Sequence, residues 1–218
     1  MKNLNNKYSI LSEHSKNNLI INYLNELFPN PKCELNYNNL FELVISVMLS
    51  SQTLDKRVNE VTPILFNKYD TLEKLINANI NDIIEIIKPL GLASTKAKNI
   101  QSIANDVLIK FNGKVPETFE ELVELSGVGE KTAQVVLIEG LNKKAFPVDT
   151  HILRVSKRLN LIDEKLKATQ ASKELKTIFE DNLWNKLHQQ MVLFGRYHCL
   201  AKKPKCNNCK LVSICKGV

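Results

Sequence analysis

The sequence predicts an all-α protein, and three features carry that prediction. Ala97, Ile100, Ala104, Val107, Leu108 and Phe111 recur at helical spacing and form one apolar face, with Lys96, Lys98 and Lys110 elsewhere. Asp70 with Glu73, Asp82 with Glu85, and Thr118 with Glu121 have capping-box spacing ahead of apolar positions, which marks helix starts. No run of alternating β-branched residues reads as a strand.

In chain order, the first 18 residues are rich in Asn, Lys and Ser and form either a loose arm or a short first helix. Apolar periodicity then predicts helices over about 17–28, 39–50 and 54–68. The capped starts at Asp70 and Asp82 open two more, and the stripe from Ala97 to Phe111 gives one long helix. Further patterns cover 118–125 and 130–139, then a helix after Asp149 containing Val155 and Leu159, then about 166–180 and 183–195. No Gly/Ser-rich or Pro-rich linker separates autonomous domains, so the chain divides as two helical lobes sharing a cleft. The expected boundaries are approximate: residues 1–25 plus 130–218 form one lobe, and 26–129 form the other, which ends in the hairpin described below.

The 218 residues, 44% hydrophobic, are enough for a sizeable core. No apolar run approaches the ~18 residues of a membrane span. The N-terminus has no apolar h-region and no transit-like leader, so a cytoplasmic protein is expected and disulfides are disfavoured. The net charge of +7 favours an anionic partner, of which nucleic acid is the commonest.

Gly127-Val128-Gly129 stands between two helical patterns. Two glycines one residue apart allow a tight hairpin with positive φ and leave backbone amides uncovered at a helix start. Such amides, aligned with the positive end of the helix dipole, form a cradle for phosphate; a bare Gly-x-Gly is also an ordinary helix–helix turn. Lys131 sits in the first turn beyond, where the positive helix end opposes an ammonium, and this suits a nucleophilic, imine-forming amine. A solvated lysine touching phosphate is the plainer alternative. Asp149 occupies the N-cap position of the next helix, and its carboxylate could also accept a proton from Lys131 or stabilise positive charge developing on a sugar. His151 reads either as a partner of phosphate or of Asp149, or as a packed histidine at the helix start.

Four of the five cysteines, Cys199, Cys206, Cys209 and Cys215, lie in the last twenty residues as C-x6-C-x2-C-x5-C. Short loops bring four thiolates to one centre, and from the spacing both an iron–sulfur cluster and a four-cysteine zinc site remain open. The inserts are polar and basic, so a bound metal is expected to fold this tail. Cys33 stands apart and is expected to pack as a small hydrophobe.

The segments LSGVGEKTAQVVL, PVDTHILRV with Asp149 eighteen positions after Lys131, and GRYHC opening the cysteine run together resemble the endonuclease III family of helix-hairpin-helix DNA glycosylases. Upstream, LSSQTLDKRV is similar to the family's segment with a DNA-inserting glutamine, and GLASTKAKNI to the one with a wedge leucine. The resemblance covers roughly residues 20–215. It implies a monomeric, nucleoid-associated repair enzyme that removes oxidised pyrimidines from duplex DNA and cleaves the abasic strand by β-elimination. It makes Lys131 the nucleophile at C1′, Asp149 its assistant, and Gln52 and Leu92 the residues that fill the vacated stack. Gln52 would otherwise be a helix-start residue, and Leu92 a core residue. The resemblance also makes the tail a [4Fe-4S] site whose Lys202, Lys203 and Lys205 reach backbone phosphates. Ser126, in place of a frequent proline, and Glu130, in place of a neutral or basic residue, depart from the family pattern.

Overall fold

The computed structural model describes residues 12–217, and among these every regular element is helical. Contacts divide the chain into two units, one of residues 33–143 and one combining the N-terminal segment through Lys32 with Lys144 onward. The boundaries thus fall at 32/33 and 143/144 rather than at the expected 25/26 and 129/130. The later boundary moves because the helix beginning at Glu130 packs within the 33–143 unit.

That unit contains α2 (Leu40–Leu49), α3 (Asp55–Lys68), α4 (Leu72–Ile76), α5 (Ile80–Ile87), α6 (Ala93–Ile109), α7 (Phe119–Leu122) and α8 (Glu130–Leu141). The stripe expected on α6 buries Ala97, Ile100, Ala104 and Val107 together with Ile103 against α4, α5 and α2. Helix α2 is apolar nearly all round and lies against α8, where a Cβ on Gly140 would meet Leu40 Cδ1. Cys33 packs, partly buried, against the same core.

Helix starts follow local capping chemistry, with shifts from the expected positions. Thr118 caps α7 as predicted, accepting from the Glu121 amide at 3.3 Å. At α4 the cap is Thr71 rather than Asp70, which instead pairs with Lys74 at 2.7 Å. At α5 the cap is Asn79, so Asp82 falls in the first turn, where its charge complements the helix dipole.

The other unit holds α1 (Glu13–Leu27), α9 (Thr150–Arg158), α10 (Ala168–Ile178) and α11 (Trp184–Tyr197). Helix α1 begins at Glu13 under a Ser12 cap, so the end of the expected N-terminal arm is helical; the rest of that arm lies outside the described residues. Ile20 and Leu24 of α1, Ile152 and Val155 of α9, Leu175 of α10, and Met191 and Phe194 of α11 close the core. Helices α9 and α11 cross closely, since a Cβ on Gly195 would come within 2.8 Å of His151 Cβ. Among the described residues no helix is long and apolar enough to cross a membrane.

Candidate functional site

The hairpin between α7 and α8 is built by Gly127, whose φ of 77° admits the reversal. The turn sits against α6: a side chain on Gly127 would strike Asn99, and the hydroxyls of Ser126 and Ser102 lie 2.7 Å apart. The serine in place of proline therefore ties the hairpin to the long helix. Val128, grouped by the sequence with the phosphate-holding residues, is instead buried, and its amide donates to the Leu125 carbonyl at 3.0 Å. It anchors the turn from inside, while the backbone of Gly127 and Gly129 is exposed. Gly129 is the N-cap residue of α8, and Lys131 is exposed in that helix's first turn, beside Glu130.

Two other loops of this unit carry Gln52 and Leu92. Both residues have left-handed backbone, φ 57° and 51°, a conformation that costs a non-glycine residue roughly 1–2 kcal/mol. Leu92 is 61% exposed and does not enter the core; Leu54, next to the Gln52 loop, is 71% exposed. Gln52 lies ahead of α3, whose N-cap is Leu54, so it is not a capping residue. Leu92 is the N-cap residue of α6, its carbonyl accepting from the Lys96 amide at 3.0 Å, while its side chain stays in solvent. Leu92→Asn is expected to raise stability by up to about 1 kcal/mol, because asparagine tolerates this conformation; thermal unfolding measures it, and a lower Tm would mean that the leucine contributes to folding.

Lys96, which the helical pattern placed off the apolar stripe, is buried at 5% exposure. Four oxygens lie within hydrogen-bond distance of its Nζ and share its three protons: the carbonyls of Leu49 at 2.9 Å, Ser51 at 3.1 Å and Leu90 at 3.1 Å, and Thr53 Oγ1 at 3.1 Å. Thr53 Oγ1 in turn donates to the Leu90 carbonyl at 2.6 Å. The Gln52 and Leu92 loops are thus brought together around one ammonium, whose pKa burial pushes below the ordinary lysine value.

In the other unit Asp149 caps α9, its Oδ1 accepting from the Ile152 amide at 2.8 Å, and the side chain is half-buried. Burial lowers the His151 pKa, Asp149 opposes that shift, and the Arg196 and Arg154 guanidinium groups reinforce it, so a neutral imidazole is favoured. Positive charge beside Asp149 comes instead from Arg154, which the sequence reading missed; it lies 3.4 Å from His151 Nδ1 and donates to the Gly195 and Cys199 carbonyls.

All four tail cysteines are free and line one small cavity, with Leu159, Phe194 and Leu211 among its apolar walls. Burial raises the Cys209 thiol pKa, and its neighbours Cys199, Cys215 and Cys206 raise it further. Four convergent soft donors in an apolar pocket fit a thiolate-bound centre. Among the described residues no group of three or more such side chains closes on a single metal ion. Arg158, also missed, donates to Cys199 Sγ at 3.3 Å and to the Leu200 carbonyl at 2.7 Å. Tyr23 of α1 donates to the Asn208 carbonyl at 2.9 Å. Lys202, Lys203 and Lys205 are exposed along this tail, whereas Lys210 pairs with Glu26 at 2.6 Å.

Residues 45–181 match the family of HhH-GPD superfamily base excision DNA repair proteins. Endonuclease III of Bacillus subtilis (strain 168) is 40% identical over 193 residues, 88% of each chain. That of Haemophilus influenzae is 38% identical over 197 residues, 90% of this chain and 93% of the relative. Among solved structures, a non-covalent endonuclease III–DNA complex superposes with a TM-score of 0.91 at 38% identity, over 95% of this chain and 96% of that one. A trapped covalent endonuclease III–DNA intermediate gives 0.90 at the same identity, over 95% and 97%.

Proposed function

Because the chain belongs to the endonuclease III family of base excision DNA repair proteins and is a bifunctional DNA glycosylase and abasic-site lyase, we propose that Lys131 is its nucleophile and Asp149 the carboxylate that serves it. The observation that carries this reading is an exposed amine in the first turn of α8, directly after a hairpin whose outer side fits a phosphate. Asp149 takes a proton from the Lys131 ammonium, and the freed Nζ attacks C1′ as the bond from C1′ to the base breaks. Opening of the sugar gives an imine, which makes the C2′ proton acidic; its loss expels the 3′ phosphate by β-elimination. A water nucleophile would leave the strand intact, so cleavage follows from the amine.

Chemistry at C1′ requires the nucleotide to leave the duplex, at a cost of a few kcal/mol. Gln52 and Leu92, held outward in strained conformations, enter the vacated stack and offset part of that cost. The hairpin at Gly127 and Gly129 holds backbone phosphate without reading sequence, and Val128 supports it from within. His151, whose charging burial disfavours, stands at the start of α9 next to Asp149 and leaves the charge there to Arg154.

The substrates in this reading are duplexes with oxidised pyrimidines or abasic sites, met by a monomer in the nucleoid-associated cytoplasm. Trapping with borohydride on duplexes bearing thymine glycol and a plain abasic site tests it. Covalent adducts with both are expected; base release with no adduct would make the enzyme monofunctional, and trapping on the abasic site alone would remove oxidised pyrimidines as substrates.

Cys199, Cys206, Cys209 and Cys215 would hold a [4Fe-4S] cluster. When bound, the cluster cross-links the tail through thiolate ligation, presenting Lys202, Lys203 and Lys205 to backbone phosphate. Purified protein is expected to absorb visible light and to contain iron and sulfide in cluster stoichiometry. Stoichiometric zinc would overturn the assignment.

A further inference from the structure

We propose that Lys96 is a positioning residue for base extrusion, a buried cation that locks the Gln52 loop to the Leu92 loop. This rests on the reading that Gln52 and Leu92 fill the vacated stack. Gln52 lies between two residues that the ammonium grips, Ser51 through its carbonyl and Thr53 through its hydroxyl. Leu92 follows two residues after the gripped Leu90. Each strained backbone is therefore fixed by a bond beside it.

The chemistry of the grip explains why a lysine stands here. Leu49 ends α2 and Leu90 ends a short 3₁₀ turn, so both carbonyls lie at negative helix ends, where a cation is favoured. Three oxygens from the backbone and one from a hydroxyl surround Nζ, and no carboxylate is among them. Oxygens converging this way repel one another unless a positive charge sits between them. An apolar side chain in its place would leave the buried Leu49 carbonyl without its donor and the Leu90 carbonyl with Thr53 alone, and the two loops would part to reach water. The side chains so positioned, Gln52 and Leu92, are exposed and add nothing to the core. What the grip secures is thus the placement of two outward-facing groups.

The test compares borohydride trapping in a single turnover on an abasic site in a duplex and on the same site in an unpaired bubble, where unstacking is already done. Lys96→Met is expected to slow trapping on the duplex roughly tenfold or more while changing the bubble rate less than about twofold. Thr53→Val, which keeps the ammonium and removes the hydroxyl bridge, is expected to show a smaller loss confined to the duplex, and it decides the matter should Lys96→Met fail to fold. Equal losses on both substrates, or an unchanged duplex rate, would overturn the proposal. Gln52→Ala with Leu92→Ala tests the underlying reading separately: full duplex activity of that double variant would remove the stack-filling role itself, whereas a loss there with none in the Lys96 and Thr53 variants would sink only the positioning role.

Discussion

Lys131→Gln is expected to abolish borohydride trapping and strand cleavage, lowering both by on the order of 10³-fold or more, while duplex binding stays within a few-fold of the parent. Glutamine is one atom shorter than lysine but close to it in helix propensity, and the site is exposed, so stability should move by no more than about 0.5 kcal/mol. The amide nitrogen of glutamine cannot form an imine, so no adduct can be reduced. Loss of one positive charge removes at most one phosphate contact, and the hairpin remains. Trapping gels and fluorescence anisotropy on the same duplex separate the two effects. Persistent trapping would move the nucleophile to another amine.

Asp149→Asn is expected to slow the reaction by roughly 10²–10⁴-fold, the usual contribution of a proton-transfer group, with little change in stability. Asparagine is as good an N-cap as aspartate, and its Oδ1 can accept the same bond from the Ile152 amide. Asp149→Ala loses the cap as well, at a cost of about 1 kcal/mol of stability. Steady-state rates beside denaturant titrations of the two variants isolate the charge from the cap. An asparagine variant with full activity would reduce Asp149 to a capping role.

These contrasts show what the sequence made legible. Periodicity found the long helix α6 because the burial of Ala97, Ile100, Ala104 and Val107 is a local property of one face. Capping-box spacing misplaced the starts of α4 and α5, where Asp70 and Thr71, or Asn79 and Asp82, offer competing caps one to three residues apart. The cysteines were legible from spacing and the hairpin from its glycines. Gln52 and Leu92 were visible only through resemblance, since nothing local announces a left-handed backbone at glutamine or leucine. Lys96 could not be found this way at all: the oxygens that bury it come from the ends of two other segments, and a lysine beside an apolar stripe reads as solvent-facing. Arg154 and Arg158 escaped for the same reason, because their acceptors lie more than 40 residues away.

The division of the chain also sets an order of assembly during synthesis. Residues 33–143 form a continuous stretch with its own core and can fold as soon as they clear the ribosome. Helix α1 precedes that stretch yet finishes after it: Ile20 and Leu24 join a core built from later residues, α1 packs against α11, and Tyr23 waits for Asn208. A ribosome stalled before α11 therefore carries one finished unit and one helix whose apolar face, Ile20 and Leu24, still awaits its partner.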